Sequence, residues 1–284
     1  MSDESDRQIE KGNHELLSNL AMKGHWTHKL FVENAELYLP FLEQAKERAL
    51  DETNALSRIF DENDVPGHGS VLDMACGIGR HSVPIAGLGY RVTGVDLSPL
   101  YVEKAREYAA REGVDALFVE GDMLDVPGSL EKQAPFDAVI SMFTSHSYYG
   151  REGDLRTFSR LRRLASESGL LVVLTANGDW IRRNFQEEGL ETATPMRILQ
   201  QRRLDESSST LFNTWHFFEG QDADLKHRLT IDMEHRLYGI DELAELLEEV
   251  GWRFLYGLGR EPGDEFRLGP LGEDCNTMWL VARA

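Results

Sequence analysis

The stretch of sequence that decides the fold is Val71-Leu72-Asp73-Met74-Ala75-Cys76-Gly77-Ile78-Gly79-Arg80. An apolar strand is predicted to end near Asp73, a turn of small residues follows, and a helix is expected beyond the turn. Small residues let a backbone turn sharply and approach a ligand closely. In an open α/β sheet, a turn of this kind at the carboxyl end of a strand binds an adenosine-bearing cofactor.

The turn differs from that of a dinucleotide-binding protein. A dinucleotide fingerprint has the pattern G-x-G-x-x-G, which places a pyrophosphate on the helix N-terminus. Here Gly77 and Gly79 are followed by Arg-His-Ser at 80–82, so the third glycine is absent. The turn begins instead with Asp73, and an acid suits a cationic group better than a pyrophosphate. The pattern therefore disfavours a nicotinamide dinucleotide and favours a cofactor that carries an amino group.

The run from Asp73 to Gly79 resembles motif I of the class I S-adenosylmethionine-dependent methyltransferases. That motif has the form D/E-x-G-x-G-x-G, and alanine is common at its first glycine, where this chain has Ala75. The resemblance extends over about residues 68–177 and returns at about residues 238–283. The Cys-Gly-x-Gly-Arg-His form of the turn is similar to bacterial and archaeal methyltransferases that act on small molecules.

The resemblance implies a fold and a cofactor. The fold is of the α/β class: a Rossmann-like, seven-stranded, mostly parallel sheet flanked by helices, with the last strand antiparallel. The cofactor is S-adenosyl-L-methionine, and the product formed from it is S-adenosyl-L-homocysteine.

A second strand is predicted over residues 90–96 and ends in an acid. Asp96 lies about twenty residues after the glycine turn, where a carboxylate is placed to accept hydrogen bonds from ribose hydroxyls. Ser98 and Pro99 predict the start of a helix, with serine as its N-cap and proline at its first position. The alternative for Asp96 is a solvated carboxylate at a strand end.

Two more strands are predicted over residues 116–123 and 136–143. In the first, the resemblance assigns Asp122 to the adenine amino group and Met123 to the adenine ring, although Gly-Asp is also an ordinary turn signal. The second continues into residues 144–149, which are expected to line the cleft between cofactor and acceptor. The Asn/Asp-Pro-Pro-Tyr/Phe motif that nucleic-acid amino-methyltransferases often carry here is absent from the sequence.

The predicted site residues form three sets. The cofactor-binding set is Asp73, Ala75, Cys76, Gly77, Gly79, Arg80, His81, Asp96, Leu97, Asp122, Met123, Ser141, Met142 and Phe143. The acceptor-binding set is Tyr148, Tyr149, Trp215 and His216. His146 is the candidate general base, because an imidazole can titrate near neutral pH. The alternative for His146 and the acceptor set is packing in the wall of the cleft.

The chain is expected to divide into four segments. They are an N-terminal helical cap (1–60) with a disordered start, the S-adenosylmethionine-binding core (61–189), a β insertion (190–238) and the completion of the core sheet (239–284). The β-forming stretch 211–218 and the alternating stretch 228–238 predict that the insertion is antiparallel. It is expected to cover the acceptor or to form a dimer contact, the alternative being a decorative extension. Residues 257–276 are rich in Gly, Pro and charge and predict a long loop.

Charge and cysteine content narrow the partners and the compartment. A net charge of −19 repels phosphate backbones, so a small-molecule acceptor is expected and a nucleic acid is not. The two cysteines include Cys76 in the turn, which disfavours a disulfide framework and indicates a reducing compartment, the cytoplasm. No zinc-binding spacing and no membrane-spanning segment is recognised in the sequence, so neither a metal nor a membrane is expected. A homodimer stays an open alternative.

Three functions are compatible with these motifs. The first is methyl transfer from S-adenosylmethionine to nitrogen or oxygen of a small molecule, by a methyltransferase of class EC 2.1.1.-. The second is non-catalytic binding of the same cofactor by a sensor or scaffold. The third is a nicotinamide-dependent oxidoreductase, which the missing third glycine and Asp73 disfavour.

Overall fold

The structure, a computed structural model, describes residues 24–125, 127–221, 224–263 and 266–284. In these ranges the strands are β1 (Ser70–Met74), β2 (Arg91–Asp96), β3 (Ala116–Glu120), β4 (Phe136–Ser141), β5 (Ala165–Ala176), β6 (Glu188–Ala193), β7 (Met196–Asp205), β8 (Thr210–Glu219), β9 (Lys226–Arg236), β10 (Arg253–Arg260), β11 (Leu268–Pro270) and β12 (Thr277–Arg283). The helices are α1 (Ala35–Ala45), α2 (Ala49–Glu62), α3 (Ser82–Gly87), α4 (Pro99–Glu112), α5 (Gly150–Leu164), α6 (Gly178–Arg183) and α7 (Ile240–Glu249). A short helical turn, Trp26–His28, and a π-helical turn, Lys29–Glu33, precede α1. The disorder expected at the start of the chain concerns residues outside the described ranges.

The central sheet has the strand order β11-β10-β12-β5-β4-β1-β2-β3. Strands β1 to β5 run parallel, and β1 pairs with β2 on one side and with β4 on the other. Successive strands are therefore added on one side of β1 as far as β3, and on its other side from β4 onward. A crevice outside the carboxyl ends of the strands forms at such a switch point and is the usual ligand site of an open α/β sheet.

The predicted fold class is confirmed, and the strand count is eight in the described residues instead of seven. The closing strand β12 is antiparallel to β5, as expected. The additional strand, β11, pairs antiparallel with β10, which extends to Arg260. The prediction of a loop over all of residues 257–276 is therefore wrong at the end of β10 and at β11.

Helices cover both faces of the central sheet. On one face, Phe158 of α5 and Leu246 of α7 pack with Leu72 of β1 in a buried cluster. On the other face, Phe60 of α2 packs with Val71 of β1 in a second cluster. Consecutive residues of β1 thus enter different cores, because side chains alternate across a strand. This explains why the central strands are apolar throughout.

The predicted helix after the second strand begins as its sequence requires. The Ser98 hydroxyl accepts a hydrogen bond from the Tyr101 N–H at 3.4 Å, and Pro99 occupies the first turn of α4. The helix ends at Gly113, whose φ of 68° lies in the left-handed region that glycine adopts easily.

Strands β6 to β9 form a separate antiparallel sheet in simple sequential order, and we call it the roof sheet. One face of it packs on the N-terminal helical segment, where Leu30, Tyr38 and Phe41 join Ile198 and Phe217 in a buried cluster. No helix of the described residues is both long and apolar enough to span a membrane.

Leu72→Ala is expected to destabilise the protein by about 2–5 kcal/mol, because it removes a fully buried side chain from the centre of the sheet. Urea unfolding followed by circular dichroism measures this change. Leu50→Ala is the matched control, since Leu50 is 64% exposed, and it should alter stability by less than about 0.5 kcal/mol. Equal effects of the two substitutions would contradict this arrangement of the core.

Candidate active site

The turn after β1 is held in an unusual backbone conformation. Ala75, Gly77 and Gly79 have φ values of 60°, 55° and 75°, which lie in the left-handed region. At Gly79 an added Cβ would also come within 3.1 Å of the Ala105 Cβ in α4. Both backbone conformation and close helix packing therefore require a small residue here.

Asp96 joins this turn to the end of β2. Its carboxylate accepts a hydrogen bond from the Gly77 N–H at 2.7 Å and another from the Ser98 N–H at 2.9 Å. Burial raises the pKa of Asp96 to about 6, against the opposing effect of these two N–H donors. Each carboxylate oxygen keeps further hydrogen-bonding capacity toward a ligand.

A cavity of about 560 Å³ lies at this edge of the sheet. Fourteen of the nineteen predicted site residues border it: Ala75, Cys76, Gly77, Arg80, His81, Asp96, Leu97, Asp122, Met123, Met142, Phe143, Tyr148, Tyr149 and Trp215. They come from the turns after β1, β2, β3 and β4 and from β8. The structure thus brings together most of the residues that the sequence placed at strand ends.

Asp122 enters this wall through the turn after β3. Its carboxylate accepts a hydrogen bond from the Leu124 N–H at 2.7 Å, and burial raises its pKa. The neighbouring Met123 also borders the cavity.

Asp73, Gly79 and Ser141 lie behind the cavity wall instead of in it. Asp73 is buried in β1 and accepts a hydrogen bond from the Ser82 hydroxyl at 2.6 Å, so it anchors the start of α3. Burial raises its pKa to about 6. The expected direct contact of these three residues with a cofactor is therefore not supported by their positions.

His146 also points away from the cavity. Its ring is buried between Phe158 and Tyr238, at centroid distances of 5.6 and 6.2 Å. Neither ring nitrogen has a hydrogen-bond partner within the described residues, and burial lowers its pKa to about 4. A base must come within hydrogen-bonding reach of the proton that it removes, and the position of His146 outside the cavity lining does not support this role.

His216 lies on the outer face of the roof sheet. Its ring nitrogens bond to the Thr230 hydroxyl at 2.9 Å and to the Gln201 side-chain oxygen at 3.1 Å. The preceding residue, Trp215, borders the cavity. Adjacent strand residues face opposite sides, and this explains why only one of the two predicted residues reaches the pocket.

A buried charge cluster holds the start of α3. Glu52 of α2 forms an ion pair with Arg80 and a hydrogen bond of 2.7 Å with His81 Nε2. Although burial acts in the opposite direction, His81 and Arg80 hold the pKa of Glu52 near 2. Burial and the charge of Arg80 lower the pKa of His81 to about 4.

Arg80 keeps one donor free toward a ligand. Its Nη2 is buried without a hydrogen-bond partner in the part of the chain that the structure describes. The guanidinium lies 5.0 Å from the centroid of Phe143, and both residues border the cavity. A buried cationic donor of this kind fits an anionic group such as a carboxylate.

The far side of the cavity contains residues that the sequence did not indicate. From the N-terminal segment come Trp26 and Tyr38, and from the roof sheet Gln200, Asn213 and His235. Within the described ranges, buried polar atoms without a partner include Trp26 Nε1, Asn213 Oδ1 and His235 Nδ1. Strand alternation from Trp215 would have indicated Asn213, but nothing in the local sequence indicates Trp26.

Fold and site together define an α/β protein whose crevice lies at the carboxyl ends of the parallel strands, beside an aromatic compartment. The family model described as "Methyltransferase domain" matches residues 71–169. A putative methyltransferase of Bacillus subtilis, YqeM, is 26% identical over 68% of this chain and 76% of its own length. A ubiquinone biosynthesis O-methyltransferase of Methylocella silvestris is 33% identical over 38% of this chain and 40% of its own length.

A solved structure adds a likeness in fold. It is S-adenosylmethionine-bound CalS10, an amino pentose methyltransferase from Micromonospora echinaspora. The TM-score is 0.60 at 16% identity, and the match covers 86% of this chain and 97% of that one. Residues 71–169 thus match a methyltransferase domain, and the likeness in fold extends over most of the chain.

Glu52→Gln is expected to lower the free energy of unfolding by about 3–5 kcal/mol at neutral pH, because it leaves buried Arg80 without its charge partner. The folded-state pKa of Glu52 is near 2, below its ordinary value of 4.5. Its stabilising effect is therefore complete above pH 4.5 and declines as the pH falls toward 2.

Urea unfolding at several pH values measures this effect, with exposed Glu62→Gln on the same helix as the control. The difference in free energy of unfolding between wild type and Glu52→Gln should decrease as the pH falls below 4.5. A constant difference across that range would contradict the assigned ion pair between Glu52 and Arg80.

Proposed function

We propose that the protein transfers a methyl group from S-adenosylmethionine to a nitrogen or oxygen atom of a small molecule. The observation that carries the proposal is the two-sided cavity of about 560 Å³, a size typical of small-molecule sites. One side has the turns after the parallel strands, and the other has the aromatic residues of the N-terminal segment and the roof sheet.

The donor side offers groups that fit S-adenosylmethionine. The free Nη2 of Arg80 is assigned to the methionine carboxylate, and the oxygens of Asp96 to the ribose hydroxyls. Asp122 and Met123 are assigned to the adenine amino group and the adenine ring. The bound cofactor supplies a methyl group on a positively charged sulfur and becomes S-adenosylhomocysteine after transfer.

The acceptor side encloses the reaction. Tyr38 and Trp215 stack with their centroids 5.6 Å apart, and the Trp26 and Tyr148 rings are 4.7 Å apart. Such rings can hold an apolar or planar molecule, exclude water and orient its nucleophilic atom. Orientation alone can lower a bimolecular barrier by about 7–11 kcal/mol in favourable cases.

We also propose roles for the segments of the chain, a class of acceptor and a location. We assign the described residues of the cap (1–60) and of the β insertion (190–238) to the acceptor compartment, and those of 61–189 and 239–284 to the core. The net charge of −19 disfavours a nucleic acid as acceptor. Cys76 and Cys275 are both free thiols, which supports the cytoplasm as the proposed location.

Titration calorimetry with S-adenosylmethionine, S-adenosylhomocysteine and NAD tests the proposal. The first two should bind and NAD should not. A panel of small amines, phenols and alcohols is then screened for S-adenosylhomocysteine release. Binding of NAD in preference to S-adenosylmethionine would contradict the cofactor assignment, and cofactor binding without turnover on a broad panel would favour a sensor.

Asp96→Asn is expected to weaken S-adenosylhomocysteine binding about tenfold or more, because an amide replaces one accepting oxygen with a donor. Asp232→Asn is the control, since Asp232 is exposed and bonds to Thr214 on the roof sheet. Thermal melting checks that both variants fold. Unchanged affinity of Asp96→Asn would remove Asp96 from the ribose role.

A further inference from the structure

The end of β9 is hydrogen-bonded to the loop that follows β4. The Arg236 N–H donates a hydrogen bond to the Ser147 carbonyl at 3.1 Å. The residue before it, His235, is therefore fixed where the roof sheet meets the carboxyl edge of the parallel sheet. Met233, His235 and Leu237 all border the cavity, as strand alternation requires.

The ring of His235 lies among aromatic side chains. Its centroid is 5.4 Å from that of Trp26 and 5.3 Å from that of Tyr148, with the Tyr148 ring nearly perpendicular. Within the described ranges, Nδ1 is buried without a hydrogen-bond partner. A polar ring in an apolar wall loses its hydrogen bonds to water, so a ligand that restores one is favoured.

Tyr148 connects this histidine to the cofactor side. Tyr148 and Asp96 border the same cavity. Burial raises the pKa of Tyr148, and the charge of the Asp96 carboxylate raises it further. The Tyr148 ring in turn contacts His235. His235 is therefore close to the boundary between the ribose-binding acid and the acceptor compartment.

We propose that His235 is an acceptor-binding residue whose ring hydrogen-bonds the nitrogen or oxygen that receives the methyl group. Trp26 and Tyr148 hold the adjoining planar or apolar part of the same molecule. This assignment rests on the proposed function, and it identifies the acceptor as a small molecule with an N–H or O–H group on such a body. It takes the place in the pocket that the sequence had indicated for His146.

The neutral ring suits this role. Burial lowers the pKa of His235 to about 4, so at physiological pH it carries one donor nitrogen and one acceptor nitrogen. It can orient a lone pair toward the methyl group by hydrogen bonding, and this requires no charge on the ring.

The test uses phenol and fluorobenzene as probes, which have similar shapes but differ in hydrogen bonding. Binding to the protein is measured by ligand-observed NMR, with and without S-adenosylhomocysteine. The wild type should bind phenol about fivefold more tightly than fluorobenzene. His235→Phe should lose this preference, and His235→Gln should keep part of it. His216→Ala on the outer face should behave as wild type.

The outcomes separate this inference from the proposed function. S-adenosylhomocysteine affinity, measured first, reports on the proposed function and should change less than twofold in all these variants. Equal binding of the two probes to wild type, or a phenol preference that survives in His235→Phe, would overturn the role of His235 whether or not the cofactor binds. Thermal melting of each variant excludes misfolding as the cause of a lost preference.

Discussion

The site depends on the two hydrogen bonds that the Asp96 carboxylate accepts from Gly77 and Ser98. They join the left-handed turn after β1 to the start of the helix after β2, at the switch point of the sheet. A buried carboxylate costs free energy, and its raised pKa expresses that cost. The two N–H groups offset part of it, so the acid can stay in the wall of a cavity that is otherwise largely apolar.

The buried charge cluster extends this arrangement to the N-terminal helices. Glu52 comes from α2, yet it fixes Arg80 and His81 at the entrance of α3. The N-terminal segment also contributes Trp26 and Tyr38 to the aromatic side of the cavity. One segment therefore holds the turn after β1 and forms part of the opposite wall, and it packs against the roof sheet.

The central sheet and the residues gathered at the carboxyl ends of its strands could be predicted because their signals are local. Alternating strands and helices fix a parallel sheet, and its topology gathers the strand ends that carry Asp96 and Asp122. Side-chain direction beyond a strand end could not be predicted. Phe143, Thr144 and Ser147 have positive φ values of 68°, 63° and 76°, and this backbone path turns His146 into the core. Asp73 belongs to β1 itself, and the alternation of side chains along the strand directs its side chain into the interior.

The strands of the roof sheet and the edge strand β11 of the central sheet could not be predicted in detail, for other reasons. Strand β7 has the buried, polar Gln200 on its inner face, which weakens its apolar alternation. Strand β11 has three residues and includes glycine and proline, which are rare in strands away from an edge. The contact between Trp26 and His235 joins residues far apart in the chain, and no local pattern encodes it.

The crystal structure of the complex with S-adenosylhomocysteine tests the account most directly. The ribose hydroxyls should lie within hydrogen-bonding distance of the Asp96 carboxylate, and the ligand carboxylate should meet Arg80 Nη2. A nucleoside bound away from the turn after β1, with Asp96 still bonded only to Gly77 and Ser98, would exclude Asp96 as the ribose-binding acid.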